Sequence, residues 1–445
     1  MVGPAGPRRP ARGAVELRVG PVVAGGSGLA ELDGRKVFVP FAAPGEKVRA
    51  RITTSKRDYA VARLDAVLEP SPARREPPCP LFGRCGGCRL QHLGYEEQLA
   101  VKRGIVADAL RRIARLEAEV APVIASPGEW HYRNKTQYAV GFFRGPRVGF
   151  YAEASHHIIV PDACLLHPPA FDAARRACAD WLADEPDATY REDEHSGSIR
   201  HLVLRTDGTR TIALVATRTR DIAPGLVERL RAAPGISAVC QTRNPERTNR
   251  VLGPETRPVA GEPELEFRLA GRRLAVSPAA FFQVNTAQAG TLARLVRAGL
   301  AGPQPGHLLD LYSGVGAFAL AAADLAGRVT GLELDPVAVA DARRNAELNG
   351  LENVEFREAD ADRLAELPAC DAVILDPPRK GASRELLAAI AAARPGRVIY
   401  VSCDPATLAR DLALLVAAGY RLARVEPVDM FPQTAHVETV ATLEG

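Results

Sequence analysis

Methionine and tryptophan are nearly missing from this chain, with two of each in 445 residues, and aromatics make up only 5% of it. Ala, Arg, Gly and Pro stand in their place, a bias we read as genome composition without functional content. No segment reaches the ~18 consecutive apolar residues that a spanning helix needs, so no membrane partner is expected. Met1 to Ala14 carry arginines but no apolar stretch after them. A secretory signal is therefore not expected, and residues 1–13 read as a disordered basic tail of a cytoplasmic protein. A strong excess of one charge is also lacking. The net charge of +4 permits a nucleic-acid partner without demanding one.

Cysteine, by contrast, is present eight times, at Cys79, Cys85, Cys88, Cys164, Cys178, Cys240, Cys370 and Cys403. Without an export signal, metal binding or catalysis explains them better than a disulfide framework. The chain is organised around one of them. In Asp371 to Pro405, the apolar runs Ala372 to Leu375 and Val398 to Val401 each end in a polar tip. The tips are Asp376-Pro377-Pro378-Arg379-Lys380-Gly381 and Ser402-Cys403-Asp404-Pro405. An Ala/Leu-rich helix lies between, which makes a βαβ unit with parallel strands. Both tips then face the ligand-binding edge of an open α/β sheet. A carboxylate, Asp376, and a thiol, Cys403, share one cleft, and Cys403 is the candidate nucleophile.

Residues 14–70 read as all-β. Short alternating runs split by Gly and Pro predict a small barrel of the OB type. The stretch resembles a TRAM domain, an RNA-binding barrel attached to RNA-modifying enzymes, in Gly25-Gly26-Ser27-Gly28, Phe38-Val39-Pro40 and Gly45-Glu46-Lys47-Val48. A Pro-rich linker leads to Cys79, Cys85 and Cys88, three cysteines in ten residues with glycines between. Glycines let a backbone fold tightly round a cluster. Cys164, after the strand-like Ile158-Ile159-Val160, is the candidate fourth ligand. Structural zinc draws its ligands as two close pairs; three clustered and one remote fit a [4Fe–4S] cluster better, with zinc and free thiols as alternatives. Cys178 and Cys240 read as core residues. Tyr95 to Leu116 predicts a long helix, and residues 71–265 as a whole a cluster segment followed by a central α/β domain. Arg133-Asn134-Lys135 and Arg144-Gly145-Pro146-Arg147 place cations at the two ends of one predicted strand, as a nucleic-acid face or simply a solvated one.

Residues 266–445 form the expected catalytic domain, a Rossmann-like sheet. His307 to Leu311 is a buried strand running into Tyr312-Ser313-Gly314-Val315-Gly316. Only G-x-G of the phosphate fingerprint is present. Glu333 ends the next strand, where a carboxylate suits ribose hydroxyls, and Asp360 follows the third. A glycine turn without the full fingerprint, a ribose acid and an adenine-side acid point to S-adenosylmethionine, with NAD as the main competitor.

Together with Phe281-Phe282-Gln283-Val284-Asn285 and His436-Val437-Glu438-Thr439-Val440, these motifs resemble the uracil-C5 RNA methyltransferase family over nearly the whole chain. The resemblance implies Cys403 as nucleophile and Glu438 as base. It also implies a cofactor site lined by Gln283, Tyr312, Gly314, Glu333, Asp360 and Asp376. Ala317 departs from the Asn that family members often carry there. Uracil C5 is a poor nucleophile until a thiolate adds at C6, and a base must then remove the C5 proton. Arg379 and Lys380 are expected to favour the Cys403 thiolate. The partner is expected to be structured RNA with the target base flipped out, 23S ribosomal RNA ahead of transfer RNA because of the cysteine cluster, and the enzyme a monomer. Three rivals stay open: an adenine or guanine amino-group methyltransferase, a non-catalytic iron–sulfur RNA-binding protein, and a cytosine-C5 methyltransferase.

Overall fold

The computed structural model describes residues 13–218, 221–248 and 250–445. The expected basic tail, residues 1–13, lies outside them apart from Gly13. The first sheet has six strands in the order Ala14–Arg18, Lys47–Ser55, Tyr59–Glu69, Arg35–Pro40, Ser27–Leu32, Val22–Val23. Its two outermost strands are joined by only Val19-Gly20-Pro21. The sheet therefore curls on itself, with Val19 N–H donating to the Glu46 carbonyl at 2.8 Å and Gly20 N–H to the Leu29 carbonyl at 2.8 Å. Alternation does the rest: Val48, Ala50 and Ile52 are buried while Arg49 and Arg51 point to solvent, the period-two pattern of a half-buried strand.

The second sheet has seven strands in the order Glu255–Ala260, Ile236–Arg243, Thr211–Thr217, Ile199–Thr206, Lys135–Phe142, Pro146–Tyr151, Ile158–Ile159. Helices Pro169–Asp184 and Pro224–Ala232 cover one face, burying Phe171, Cys178, Leu182, Leu226 and Leu230 against Leu202, Leu204 and Val215. On the other face Val203, Ile212, Leu214 and Cys240 join the core of the C-terminal part. Cys178 and Cys240 are thus core residues. The helix expected over Tyr95 to Leu116 is α-helical for Tyr95–Ala109 and continues as a π-turn, Leu110–Ala114. Arg115, left-handed at φ 57°, ends it.

The third sheet carries the strands read as catalytic. Their order is Val354–Glu358, Arg328–Glu333, His307–Leu311, Ala372–Leu375, Arg397–Ser402, Glu438–Glu444, Arg421–Val428. The first five are mutually parallel. Glu438–Glu444 runs antiparallel to both its neighbours. The three middle strands of the sheet, His307–Leu311, Ala372–Leu375 and Arg397–Ser402, are almost wholly buried, as strands covered on both faces require. Among the described residues no helix is long and apolar enough to cross a membrane.

Candidate active site

The carboxyl ends of the parallel strands open on a cavity of about 890 Å³. Tyr312, Gly314, Glu333 and Asp360 line it from the first three strands, and Asp376 and Cys403 from the next two. Gln283 reaches it from the segment before helix Thr286–Gly299. Glu438 completes the lining because its strand is antiparallel. Thr439 pairs with Ser402, so Glu438 stands beside the end of the strand that delivers Cys403. All eight residues singled out in the sequence as catalytic or cofactor-binding are thereby brought to one cavity.

Local chemistry fixes each position. Gly314 and Gly316 both have positive φ, 54° and 85°. A Cβ on Gly316 would meet the Phe356 ring at 2.7 Å, whereas nothing lies within 4 Å of one built on Gly314. The first glycine opens the turn to the cavity and the second lets it pack. Glu333 accepts from Gly314 N–H at 2.9 Å and from Asp335 N–H at 2.8 Å, which holds the carboxylate over the turn. Tyr312 is a non-glycine residue at φ 65°, a conformation that needs outside support. Its hydroxyl donates to Asp362 at 2.5 Å. Asp404, directly after Cys403, caps helix Pro405–Ala417 by accepting from Ala406 and Thr407 N–H at 3.0 and 2.9 Å. The thiol therefore sits at the positive end of a helix, which favours its anion.

Burial makes two acids of this cavity harder to ionise. Burial pushes Glu438 up to about 8, Asp376 adding to the shift and Arg379 opposing it. Burial alone lifts Asp376 to about 7. Cys403 is pushed up to about 11 by burial and by the Glu438 and Asp376 carboxylates, while Arg379 and the residue's own backbone N–H pull it down. Only one of the two expected cations acts on the thiol. Lys380 instead pairs with Asp362 at 2.7 Å, so the expectation for Lys380 is corrected: the nearer carboxylate takes it.

Two acids escaped the sequence reading as site residues. Asp310 is fully buried in strand His307–Leu311. One of its oxygens accepts from Ala319 N–H at 2.8 Å and the other has no protein partner. Burial and the nearby Asp376 and Glu333 raise it to about 8. Its signal was visible, a lone acid inside an otherwise apolar strand. Asp362 was hidden two residues beyond Asp360, and only the fold shows that it ties Tyr312, Lys380 and Ser383 together.

Cys79, Cys85, Cys88 and Cys164 line a second cavity of about 440 Å³, which shares Arg133, Phe281, Phe282 and Val284 with the first. Among the described residues, however, no group of three or more His, Cys, Asp or Glu side chains is disposed to hold a metal ion. The expected ligand set is not assembled as a cluster site. Burial pushes the Cys85, Cys88 and Cys164 thiols up.

Comparison with known proteins identifies the arrangement. A family model described as tRNA (Uracil-5-)-methyltransferase matches residues 266–445. One described as tRNA (uracil(54)-C(5))-methyltransferase, TRAM domain, matches residues 22–73. An uncharacterized RNA methyltransferase of Halalkalibacterium halodurans is 39% identical over 97% of this chain and 96% of its own length. Another, from Gloeobacter violaceus, is 40% identical over 97% of this chain and 96% of its own. The crystal structure of Pyrococcus abyssi tRNA (uracil-54, C5)-methyltransferase in complex with S-adenosyl-L-homocysteine superimposes with a TM-score of 0.78. It is 28% identical to this chain and covers 96% of it and 100% of its own length. The preference for 23S ribosomal RNA as substrate and partner is overturned by the family models and the Pyrococcus abyssi structure, whose names specify transfer RNA. The chain belongs to the S-adenosylmethionine-dependent uracil-C5 RNA methyltransferases with a TRAM domain, and it is an RNA (uracil-C5)-methyltransferase.

Proposed function

We propose that the chain methylates C5 of a uridine in transfer RNA, at position 54, with Cys403 as nucleophile and Glu438 as base. The observation that carries the residue assignment is the convergence of Cys403, Asp376 and Glu438 on the cavity that also holds the glycine turn. The RNA assignment rests on the two family descriptions and the Pyrococcus abyssi enzyme. In this reading the chain divides near residues 70 and 265 into two gripping parts and a reacting part.

The cavity suits S-adenosylmethionine on its own chemistry. Gly314 leaves open space at the turn, Glu333 presents a carboxylate beside it, and Asp360 a second one at the next tip. The cofactor supplies an electrophilic methyl group when bound. Cys403 does the first chemical work. Its sulfur forms a bond to C6, and the C5–C6 π pair moves to make an enolate that is nucleophilic at C5. After C5 is methylated, Glu438 takes the C5 proton. The electron pair of that C–H bond re-forms the double bond and expels the sulfur. Asp376 presents its carboxyl group to the uracil edge. Arg379 lowers the cost of both anions.

The direct test is incubation with S-adenosylmethionine and a tRNA containing 5-fluorouridine. Fluorine at C5 cannot leave as a proton, so an RNA-linked peptide containing Cys403 is expected, attached at position 54. Methylation of tRNA with no such adduct would falsify the Cys403 assignment. Adduct at another position sinks the position-54 reading alone.

Cys79, Cys85, Cys88 and Cys164 are the residues that would hold a [4Fe–4S] cluster. Burial pushes Cys88 up to about 12 and Cys164 to about 11, so four thiolates in this cavity need a cationic group to offset them. The four side chains already line one cavity, and a cluster would supply a structural tie between two distant segments. Methyl transfer uses no electrons from it. Protein purified without oxygen is expected to contain iron and acid-labile sulfide near four of each, and Cys88→Ser to lose both; a metal-free wild type sinks the cluster.

A further inference from the structure

The central sheet carries a third cavity, of about 610 Å³, which shares no lining residue with the catalytic one. Aromatics are scarce in this chain, and the large ones exposed among the described residues are Tyr59, Phe142, Phe143, Tyr151 and Phe281. Phe281 lines the catalytic cavity. Three of the other four meet here. Phe142, Phe143 and Tyr151 are 41%, 52% and 40% exposed and all line this cavity. Phenylalanine kept in water, in a cluster, marks a binding surface.

The rings are dressed with cations. The Arg191 guanidinium lies 4.2 Å from the centre of the Phe142 ring. Those of Arg144 and Arg147 lie 5.6 and 5.9 Å from that of Phe143. Acids stand among them: Glu192 Oε2 is 2.8 Å from His156 Nδ1, and Asp193 and Glu194 follow it into the lining. This mixture decides the ligand. A site for phosphate alone is lined by cations without acids, and here three carboxylates stand in the same lining as Arg147, Arg191 and Arg200. A protein partner's apolar anchor gains little from rings already covered by guanidinium groups. A nucleobase uses every element: a π-face to stack on the rings, an edge with donors for a carboxylate and acceptors for arginine.

The position also fits. Gly86 N–H donates to the Tyr151 carbonyl at 3.1 Å, so the strand carrying Tyr151 also carries the Cys85–Cys88 loop. That loop's cavity in turn shares its wall with the catalytic cavity. We infer that the Phe142–Phe143–Tyr151 cavity receives an unstacked base of the tRNA substrate, a second contact outside the catalytic cavity. This rests on the tRNA reading above.

The test uses the full-length chain and bulk tRNA. Phe143→Ala is expected to weaken tRNA binding on the order of tenfold, the usual loss of one base stack. It should raise KM for tRNA by a similar factor and leave KM for S-adenosylmethionine unchanged. Phe143→Tyr, which keeps a stacking face, is expected to bind like wild type. Ultraviolet cross-linking of the wild type should join RNA to the peptide bearing Phe142 and Phe143. Wild-type tRNA affinity in Phe143→Ala overturns the inference, as does equal loss in Phe143→Ala and Phe143→Tyr or no cross-link in that peptide. Unchanged tRNA binding with capture of a protein through this patch also overturns it. A wild type that binds tRNA but leaves position 54 unmethylated removes the position reading and not this one; a wild type that binds no tRNA removes both.

Discussion

Cys403→Ser is expected to lower methyl transfer by roughly 10⁴-fold or more, the scale of losing a covalent nucleophile. Affinity for S-adenosylmethionine should stay within a few-fold, because the turn and Glu333 do not depend on the thiol. A hydroxyl is nearly isosteric but is not ionised at any working pH, and it lacks the polarizable sulfur that adds to C6. The measurement is single-turnover methylation with parallel titration of the cofactor. The same geometry sets the pH profile. In the proposed mechanism Cys403 reacts as a thiolate, and burial raises it to about 11; Glu438 works there as a carboxylate, and burial raises it to about 8. Both active forms gain population as protons leave. kcat/KM should therefore climb from pH 6 to pH 9 with no acid-side optimum. Arg379→Gln should lower the whole curve in that range, because the guanidinium pulls both groups down. A bell centred near pH 7 would show that a group outside this pair controls the rate.

Lys102→Met is expected to destabilise the protein by about 3–5 kcal/mol, the cost of stranding one partner of a buried pair. That is a large share of the ~5–15 kcal/mol typical of a folded domain. Lys102 and Asp429 are both fully buried and bonded to each other. Lys102 also donates to the Phe431 carbonyl at 2.9 Å, and Tyr95 donates its hydroxyl to Asp429 at 2.8 Å. Removal of the ammonium leaves a carboxylate in an apolar wall with one phenol for company. Adding Asp429→Asn should recover part of the loss, since an amide tolerates burial where a carboxylate does not. Urea unfolding of the single and double variants checks both. Equal midpoints for wild type and Lys102→Met would mean that the pair contributes nothing. Phe431 and Glu438 follow Asp429 closely in the chain, and both line the catalytic cavity, so the destabilised variant should also lose activity at temperatures below its unfolding.

The sheet edges were legible because buried parallel strands are written as unbroken apolar runs. Ala372 to Leu375 and Val398 to Val401 end within a residue of the observed strands. Polar tips then had to share an edge, which brought Asp376 and Cys403 together. Glu438 was different. As the first residue of a strand it reads as a surface charge, and only the family resemblance singled it out. Asp310 was passed over because one acid in a five-residue strand does not announce that it will be fully buried with one oxygen unpartnered. Lys380 was misjudged for a related reason: adjacency at a tip does not say which of two nearby acids a flexible ammonium will choose. Cysteine spacing brought the four cysteines to one cavity, but spacing does not say how the side chains are disposed toward one another. The exposed aromatics at Phe142, Phe143 and Tyr151 were invisible, since a phenylalanine in a strand reads as core by default.

The Lys102–Asp429 pair also has a history within each molecule. The partners are 327 residues apart. At a synthesis rate of ~5–20 residues per second, the lysine waits about 15–65 s for its carboxylate. During that time helix Tyr95–Ala109 has a cation on the face it must bury, so it cannot settle into its final place. Gln98 waits as well, for Gln433. The amino-terminal part thus leaves its docking surface open until the segment leading to Glu438 arrives. Closure of that surface and completion of the catalytic cavity are then one event, at the end of folding.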